Sequence, residues 1–216
     1  MSAKGSKTEI IFDDLRLALQ NGHCAPGDRV DPEAVAKRCH TSLTPARRAL
    51  DRLLGGDLLE DLGRNGYRIP VPTEADLKDR YHWMEFLLIH VCQSECVRTA
   101  PIDRLDHIGK CDGHIAMTCR LFASMAASTE SATLIQAVRT ANAKLGPIRR
   151  EEQHLLQNLH EELDGLMTLW EAGKLDQLSA AISRYHERRR RIAAQVLLFL
   201  RAGHLLQPTL KELLRL

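Results

Sequence analysis

Thr41-Ser-Leu-Thr-Pro-Ala-Arg-Arg-Ala-Leu-Asp-Arg-Leu-Leu-Gly55 is the stretch that decides the fold. Thr44 is placed to cap a short helix, Pro45 suits its first position because a missing N–H costs nothing there, and Gly55-Gly56 ends it. Ala46, Ala49, Leu50, Leu53 and Leu54 fall on one side at helical spacing, which makes that side the buried one. Arg47, Arg48 and Asp51 fall on the other. A small apolar underside with arginines near a capped N-terminus is what a helix inserted into a DNA groove requires: N–H groups and guanidinium groups meet phosphates, and a guanidinium reaches guanine O6 and N7. The same pattern also suits a surface helix of a small bundle, so the neighbouring sequence has to discriminate.

Upstream, Ile10, Ile11, Leu15, Leu17 and Ala18 recur at three-and-four spacing, predicting a first helix over 8–20 that ends at Asn21-Gly22. Ala25-Pro-Gly-Asp-Arg-Val30 reads as a turn leading into one extended position. Asp31 then caps a second helix, with Pro32 at its first position, Val35, Ala36 and Cys39 inward, and an end near His40. Two helices joined by so tight a turn form a helix-turn-helix. Downstream, Leu58-Leu-Glu-Asp-Leu62, the turn Gly63-Arg-Asn-Gly66 and Tyr67-Arg-Ile69 predict a β-hairpin, with Arg64 and Asn65 at its tip. A hairpin directly behind a helix-turn-helix is a wing, and such a tip reaches the DNA backbone or minor groove.

Over residues 8–70 the chain resembles the winged helix of the GntR superfamily of bacterial transcription regulators. Ala25-Pro-Gly-Asp-Arg29 is similar to that family's P-G-x-x-L entry, Ser42-Leu-Thr-Pro-Ala-Arg-Arg-Ala-Leu50 to its S-R-T-P-V-R-E-A-L signature, and Gly63-Arg-Asn-Gly-Tyr67 to its wing. The resemblance places DNA contacts on Ser42, Leu43, Thr44 and Arg47 and on the wing at Asn65 and Gly66. Two positions depart from the signature. Leu43 stands where the family has arginine, which removes one contact, and Arg48 stands where it has glutamate, which restores a positive charge at the next position. The DNA-binding set expected here is therefore Ser42, Thr44, Arg47, Arg48, Arg64, Asn65 and Gly66.

Ile69-Pro-Val-Pro-Thr73 is a stiff linker, since its prolines forbid helix and hold the preceding residues extended. Thr73 with Asp76 forms a capping box for the next helix. These features divide the chain into a DNA-binding domain over 1–70 and a second domain over 71–216. Helical patterns run over 74–98, 102–125, 132–145, 149–171, 175–202 and 210–216, with breaks expected at Ala100-Pro101, Gly146-Pro147, Gly173 and Gly203. The fold class is thus mostly α: a winged helix-turn-helix followed by an all-α antiparallel bundle.

This second part resembles the FCD effector domain of the FadR branch, most clearly in Leu169-Trp-Glu-Ala-Gly-Lys-Leu-Asp-Gln-Leu-Ser-Ala-Ala-Ile182, which is similar to the domain's A-x-x-x-G-D-x-x-x-A-x-x-x-M turn. The resemblance implies dimerisation through this domain and an organic-acid effector beside a divalent metal held by an aspartate and three histidines. Here those positions fall near Met117 and Leu121 and on Leu163 and Tyr185, and the family's first-helix arginine falls on Met84. Hydrophobic side chains do not ligate metal, so no metal cofactor is expected; a displaced site through His160 and His186 is the alternative. His82, Met84, His114, Arg139, His160 and Tyr185 are the candidate effector-pocket residues.

Composition sets the outer bounds. With 44% hydrophobic, 27% charged and only 4% aromatic residues, the chain reads as a soluble helical protein. Its net charge of +2 means that any DNA contact comes from local placement of arginine, not from bulk charge. The polar N-terminus and the lack of a long uncharged run point to the cytoplasm and exclude a membrane partner. Six irregularly spaced cysteines read as reduced core thiols, and His90, Cys92, Cys96, Cys111 and His114 complete no zinc pattern. The basic run Arg184–Arg191 reads as an ion-paired or solvated helix face, with Glu151-Glu152 and Glu161-Glu162 available to answer it.

Together these features point to a homodimeric regulator, most readily a repressor, that binds a double-stranded operator and is controlled by a small-molecule effector. The alternatives are an effector-independent DNA binder, and a helical metal-binding protein or enzyme that uses its winged helix for protein contacts. No nucleophile-base pair, phosphate-binding glycine loop or dinucleotide fingerprint argues for catalysis.

Overall fold

A computed structural model describes residues 6–94, 97, 99 and 110–206. The chain opens with α1 (Lys7–Gln20), β1 (Arg29–Val30), α2 (Pro32–Arg38) and α3 (Leu43–Gly55). A hairpin of β2 (Glu60–Asp61) and β3 (Tyr67–Arg68) comes next, its loop wound into one 3-10 turn over Gly63–Asn65. Six helices complete the described chain: α4 (Glu74–Cys92), α5 (Lys110–Ala127), α6 (Ala132–Glu152), α7 (Leu159–Glu171), α8 (Leu175–Arg191) and α9 (Ala193–Leu206). None of the helices of the described residues is long and apolar enough to cross a membrane.

Local chemistry accounts for most of the element ends. Ser6 caps α1 through Glu9 N–H, and Asp31 caps α2 through the N–H groups of Glu33 and Ala34, with Pro32 at the first helical position. Pro26 and Gly27 occupy the middle of a turn in which Asp28 N–H donates to the Ala25 carbonyl; Gly27 takes φ 92°, which a side chain would disfavour. Thr73 and Asp76 form the capping box that starts α4.

The structure moves the start of α3. Ser42, not Thr44, is the N-cap residue, its backbone extended at ψ 164°, although its hydroxyl makes no capping bond. Pro45 accordingly sits third in the helix. That position is still within the first turn, where N–H groups have no intrahelical acceptor, so proline remains harmless.

The small sheet has the order β1-β3-β2, antiparallel throughout, with Arg29 opposite Arg68, Val30 opposite Tyr67, Glu60 opposite Arg68 and Asp61 opposite Tyr67. The extended position at Val30 is thus an outer strand that braces the wing. Beneath it, Ile11, Leu19, Val35, Ala36, Ala46, Ala49, Leu50, Leu53, Leu58, Leu59 and Ile69 form one apolar cluster. Cys39 packs at its edge, half-buried instead of fully inward.

The helical part differs from its expected segmentation at several points. α4 ends at Cys92 and not near residue 98, its cap Gln93 donating to the Ile89 and Val91 carbonyls. The expected start of the next helix near 102 and the helix over 210–216 lie outside the described residues. The segment over 175–202 is two helices, α8 and α9, which break at Ile192, and α9 runs through Gly203.

Gly146-Pro147 is the most instructive difference, because α6 passes straight through it. Proline inside a helix forfeits one backbone hydrogen bond and normally costs about 3 kcal/mol. The helix persists because tertiary packing holds both sides of the proline: Leu145, Gly146, Ile148 and Arg149 are all buried. A Cβ on Gly146 would stand 2.1 Å from the Leu19 carbonyl oxygen, so glycine here is a packing requirement between α6 and α1. The two units meet at this contact. Ala143 of α6 belongs to the winged-helix core, Gln20 Nε2 donates to the Arg139 carbonyl at 3.0 Å, and Lys144 pairs with Asp57 at 3.5 Å.

Candidate nucleic-acid interface

The underside of α3 is fully enclosed: Ala46, Ala49, Leu50 and Leu53 are buried against α1 and α2. Burying each leucine is worth roughly 1.5–3 kcal/mol, so the helix is fixed by its core face and its outer face is free for other use. On that outer face Ser42, Thr44, Arg47 and Arg48 are exposed. Neither Arg47 nor Arg48 forms a salt bridge with another described residue.

The wing is pinned to this helix by side chains. The Tyr67 hydroxyl donates to Asp51 Oδ1 at 2.6 Å, and Arg68 on β3 pairs with Glu60 on β2 at 2.6 Å. Burial first, and then the Asp51 carboxylate, push the Tyr67 phenol up to about 12, so it stays a donor. At the tip, Asp61 Oδ1 accepts from Gly63 N–H at 2.7 Å and Leu62 N–H donates to the Gly66 carbonyl. Gly66 takes φ 79°, and a Cβ there would lie 3.1 Å from the Val30 carbonyl oxygen. Its role in the structure is therefore to close the loop against β1, while Arg64 and Asn65 project into solvent. The geometry gives two sets of exposed donors, one on α3 and one on the wing tip, carried by a single small core.

The candidate effector residues separate into two groups. Met84, His114 and Tyr185 are buried, and His114 meets His160 edge-on at 5.4 Å between ring centroids. His82, Arg139 and His160 are exposed, so they do not line an enclosed pocket as expected. The reason is helical phase. His82 lies on the outer side of α4, whose inner side is Leu77, Tyr81, Met84, Leu87 and Leu88, and Arg139 lies on the side of α6 away from buried Leu134, Ala141 and Leu145.

The residues do not fit the metal that the FCD resemblance implies. Of the positions named for it, Leu121, Leu163 and Tyr185 are buried in the apolar core and Met117 packs against it. No group of three or more His, Cys, Asp or Glu that could hold a metal occurs among the described residues. His186 and His160 do not form a displaced pair either. His186 is fully buried with Nδ1 2.8 Å from the Ile182 carbonyl, whereas His160 faces solvent.

The bundle interior holds an ionic network built from the basic run and the acidic residues expected to answer it. Arg189 is fully buried, donating from Nε to Glu152 at 2.9 Å, from Nη2 to Glu162 at 2.9 Å and from Nη1 to the Tyr185 carbonyl. Tyr81 also donates to Glu152. Arg188, Arg189, Arg190 and Arg191 of the basic run are each ion-paired, and Arg189 faces inward. Arg149, also buried, donates from Nη1 to Cys119 Sγ and Asn142 Oδ1, each at 3.0 Å. Reading Gly146-Pro147 as a break assigns Arg149 to an exposed first turn, which conceals it; tracing the helix through the proline brings it inward.

The fold is a winged helix joined to an all-helical unit. No family model matches the sequence, and no curated protein matches it. Among solved structures the chain is similar to E. coli McbR/YncC, with a TM-score of 0.72 and 17% identity over 88% of this chain and 98% of that one. It is equally similar to a structural-genomics structure assigned as transcriptional regulator GntR from Rhodococcus sp. RHA1, with a TM-score of 0.72 and 17% identity over 89% and 98%. A third, Lar, described as controlling the Listeria monocytogenes agr system, has a TM-score of 0.52 and 11% identity over 90% and 99%. The likeness spans both units of the fold.

Proposed function

We propose that this chain is a sequence-specific, DNA-binding transcription regulator, acting as a homodimeric repressor under the control of a small molecule. Residues 1–70 form the DNA-binding head, and residues 71–216 form the unit that dimerises and senses the effector, without a bound metal. One observation carries the reading: among the described residues Arg47 and Arg48 form no salt bridge, and they stand on the outer face of a helix whose inner face is sealed, beside a braced wing with Arg64 and Asn65 at its tip. Two long cationic side chains with no salt bridge among the described residues make physical sense where phosphates and base edges supply a partner. The similar fold of the Rhodococcus structure assigned as transcriptional regulator GntR agrees with it. A two-fold dimer demands a two-fold operator, so each head takes one half-site of a pseudo-palindrome.

The test is a selection of random duplexes on the purified protein at two salt concentrations. Enrichment of one pseudo-palindromic sequence, bound more weakly at the higher salt, is expected. Retention of all duplexes alike, or of none, overturns the proposal.

A further inference from the structure

A cavity of about 380 Å³ opens within the winged-helix head, between α1, α2 and the chain that joins them. Leu15 and Ala18 of α1, Val30 of β1 and Val35 of α2 form apolar walls, and Leu17, 53% exposed, stands where it meets solvent. Cys24 and Cys39 also line it. A thiol behaves as a small hydrophobe, so these two positions add apolar surface without filling the space. Burial, and then Asp28, push the Cys24 thiol up to about 11, while burial, and then Asp14, raise that of Cys39. Both therefore stay protonated and serve as wall, not as metal ligand or nucleophile. Pockets that enclose small molecules run from about 300 to 1,000 Å³, and a dry cavity of about 150 Å³ already admits benzene. This one has room for a ring and the polar group that carries it.

The carboxylates at the cavity divide into committed and open ones. Asp28 accepts from Ala25 N–H at 2.7 Å, and Asp31 caps α2 with both of its oxygens. Asp14 of α1 is exposed, as is Arg38 of α2, and neither forms a salt bridge with another described residue. Both act on the Cys39 thiol, Asp14 raising it and Arg38 lowering it, which places the two charges about the same end of the cavity. An open carboxylate and an open guanidinium on the two helices that flank one apolar space match the ammonium and the carboxylate of a zwitterion with an apolar side chain.

We infer that this cavity binds a free α-amino acid with an apolar side chain: the side chain between α1 and α2, the ammonium on Asp14 and the carboxylate on Arg38. The site is separate from the helical unit, since every residue that lines it lies within 14–69. No residue of α3 lines it either, so the occupant leaves the outer face of that helix uncovered, while α3 packs on both helices that hold the occupant. The binding goes beyond the regulator reading and stands without it.

Thermal unfolding and titration calorimetry of the full chain at about pH 7, where an α-amino acid carries both charges, test the site. The probes are L-phenylalanine, phenethylamine, hydrocinnamate and glycine at equal ionic strength. L-Phenylalanine should raise the Tm saturably, and glycine, with no side chain for the cavity, should not. Phenethylamine and hydrocinnamate each lack one charged group and should bind about two- to fivefold more weakly, the range of a solvent-exposed ion pair. Asp14→Asn and Arg38→Gln change exposed side chains and should fold. The first should weaken phenylalanine by that factor and spare hydrocinnamate; the second should weaken phenylalanine and spare phenethylamine. Cys39→Leu narrows the cavity and should remove the phenylalanine response. No phenylalanine response, equal responses to phenylalanine and glycine, or phenylalanine affinity unchanged by Asp14→Asn and Arg38→Gln or by Cys39→Leu overturns the inference.

Discussion

Asp51 of α3 accepts the hydroxyl hydrogen of Tyr67, on β3, at 2.6 Å, so the arginine-bearing helix and the wing are held to each other by a side-chain bond as well as by the core. Tyr67→Phe removes that bond and little else. Because Asp51 is exposed, water replaces the lost donor and no buried group is orphaned. The expected loss is about 0.5–1.5 kcal/mol, the net worth of one hydrogen bond, seen as a small drop in Tm. Duplex affinity should fall further than stability does, since the wing tip loses its fixed position relative to α3. A variant with unchanged Tm and affinity would show that the sheet alone orients the wing.

Arg47→Ala separates binding from folding. Arg47 projects from α3 and contributes nothing to the core, so the Tm should be unchanged within the scatter usual for surface substitutions, about 0.5 kcal/mol. Affinity for the selected duplex should fall, and the slope of log affinity against log salt should decrease by about 1 if the lost contact is to phosphate. A loss of specificity at one base position with the slope retained would assign the residue to base readout instead. Equal affinity at every salt concentration would count against the proposed interface.

The winged helix was legible because its determinants are local. The caps, the prolines in first turns and the alternation of Ala46, Ala49, Leu50 and Leu53 with Arg47 and Arg48 all act within one or two turns of chain. Only the cap of α3 moved, by two residues, because an extended backbone at Ser42 decides the helix start even where its hydroxyl makes no bond. The bundle interior was less legible. Gly146-Pro147 carries the local signature of a break, yet contact with α1, distant in sequence, overrides it. The pairing of the basic run with Glu152 and Glu162 was legible, but not that Arg189 makes it from inside the core. The mutual positions of Arg149, Tyr185 and His186 depend on the phase of α6 and α8 relative to Phe122 on α5, which periodicity within any one of them does not reveal.

Gly146→Ala and Gly165→Ala should change stability in opposite directions. At Gly146 the added methyl would lie 2.1 Å from the Leu19 carbonyl oxygen and 2.5 Å from that of Gln20, both backbone atoms that cannot swing aside. Overpacking of this kind costs about 1–3 kcal/mol or more, here at the seam between the two units. Gly165, inside α7, has nothing within 4 Å of an added Cβ, so alanine gains helix propensity at no steric cost, about 0.5–1 kcal/mol. Urea unfolding of both variants checks the pair. A tolerated Gly146→Ala would mean that α1 and α6 are not in close contact.

Acid should weaken the fold well before carboxylates titrate. Burial above all, then Arg189, His160 and Arg149, hold His114 down to about 4. Burial likewise holds His186 well below its ordinary value, with the nearby Arg189, Arg149 and Arg190 acting in the same direction and the Ile182 carbonyl against them. Both imidazoles are therefore neutral when folded but take up a proton near pH 6.5 when unfolded. Between these values the unfolded chain binds more protons, so stability is present above about pH 6.5 and declines as the pH falls toward about 4. Urea melts at about pH 7 and about pH 5 should show this loss, and His114→Gln should reduce the difference between them. Equal stability of the parent chain at both pH values would mean that water reaches these rings, contrary to their burial.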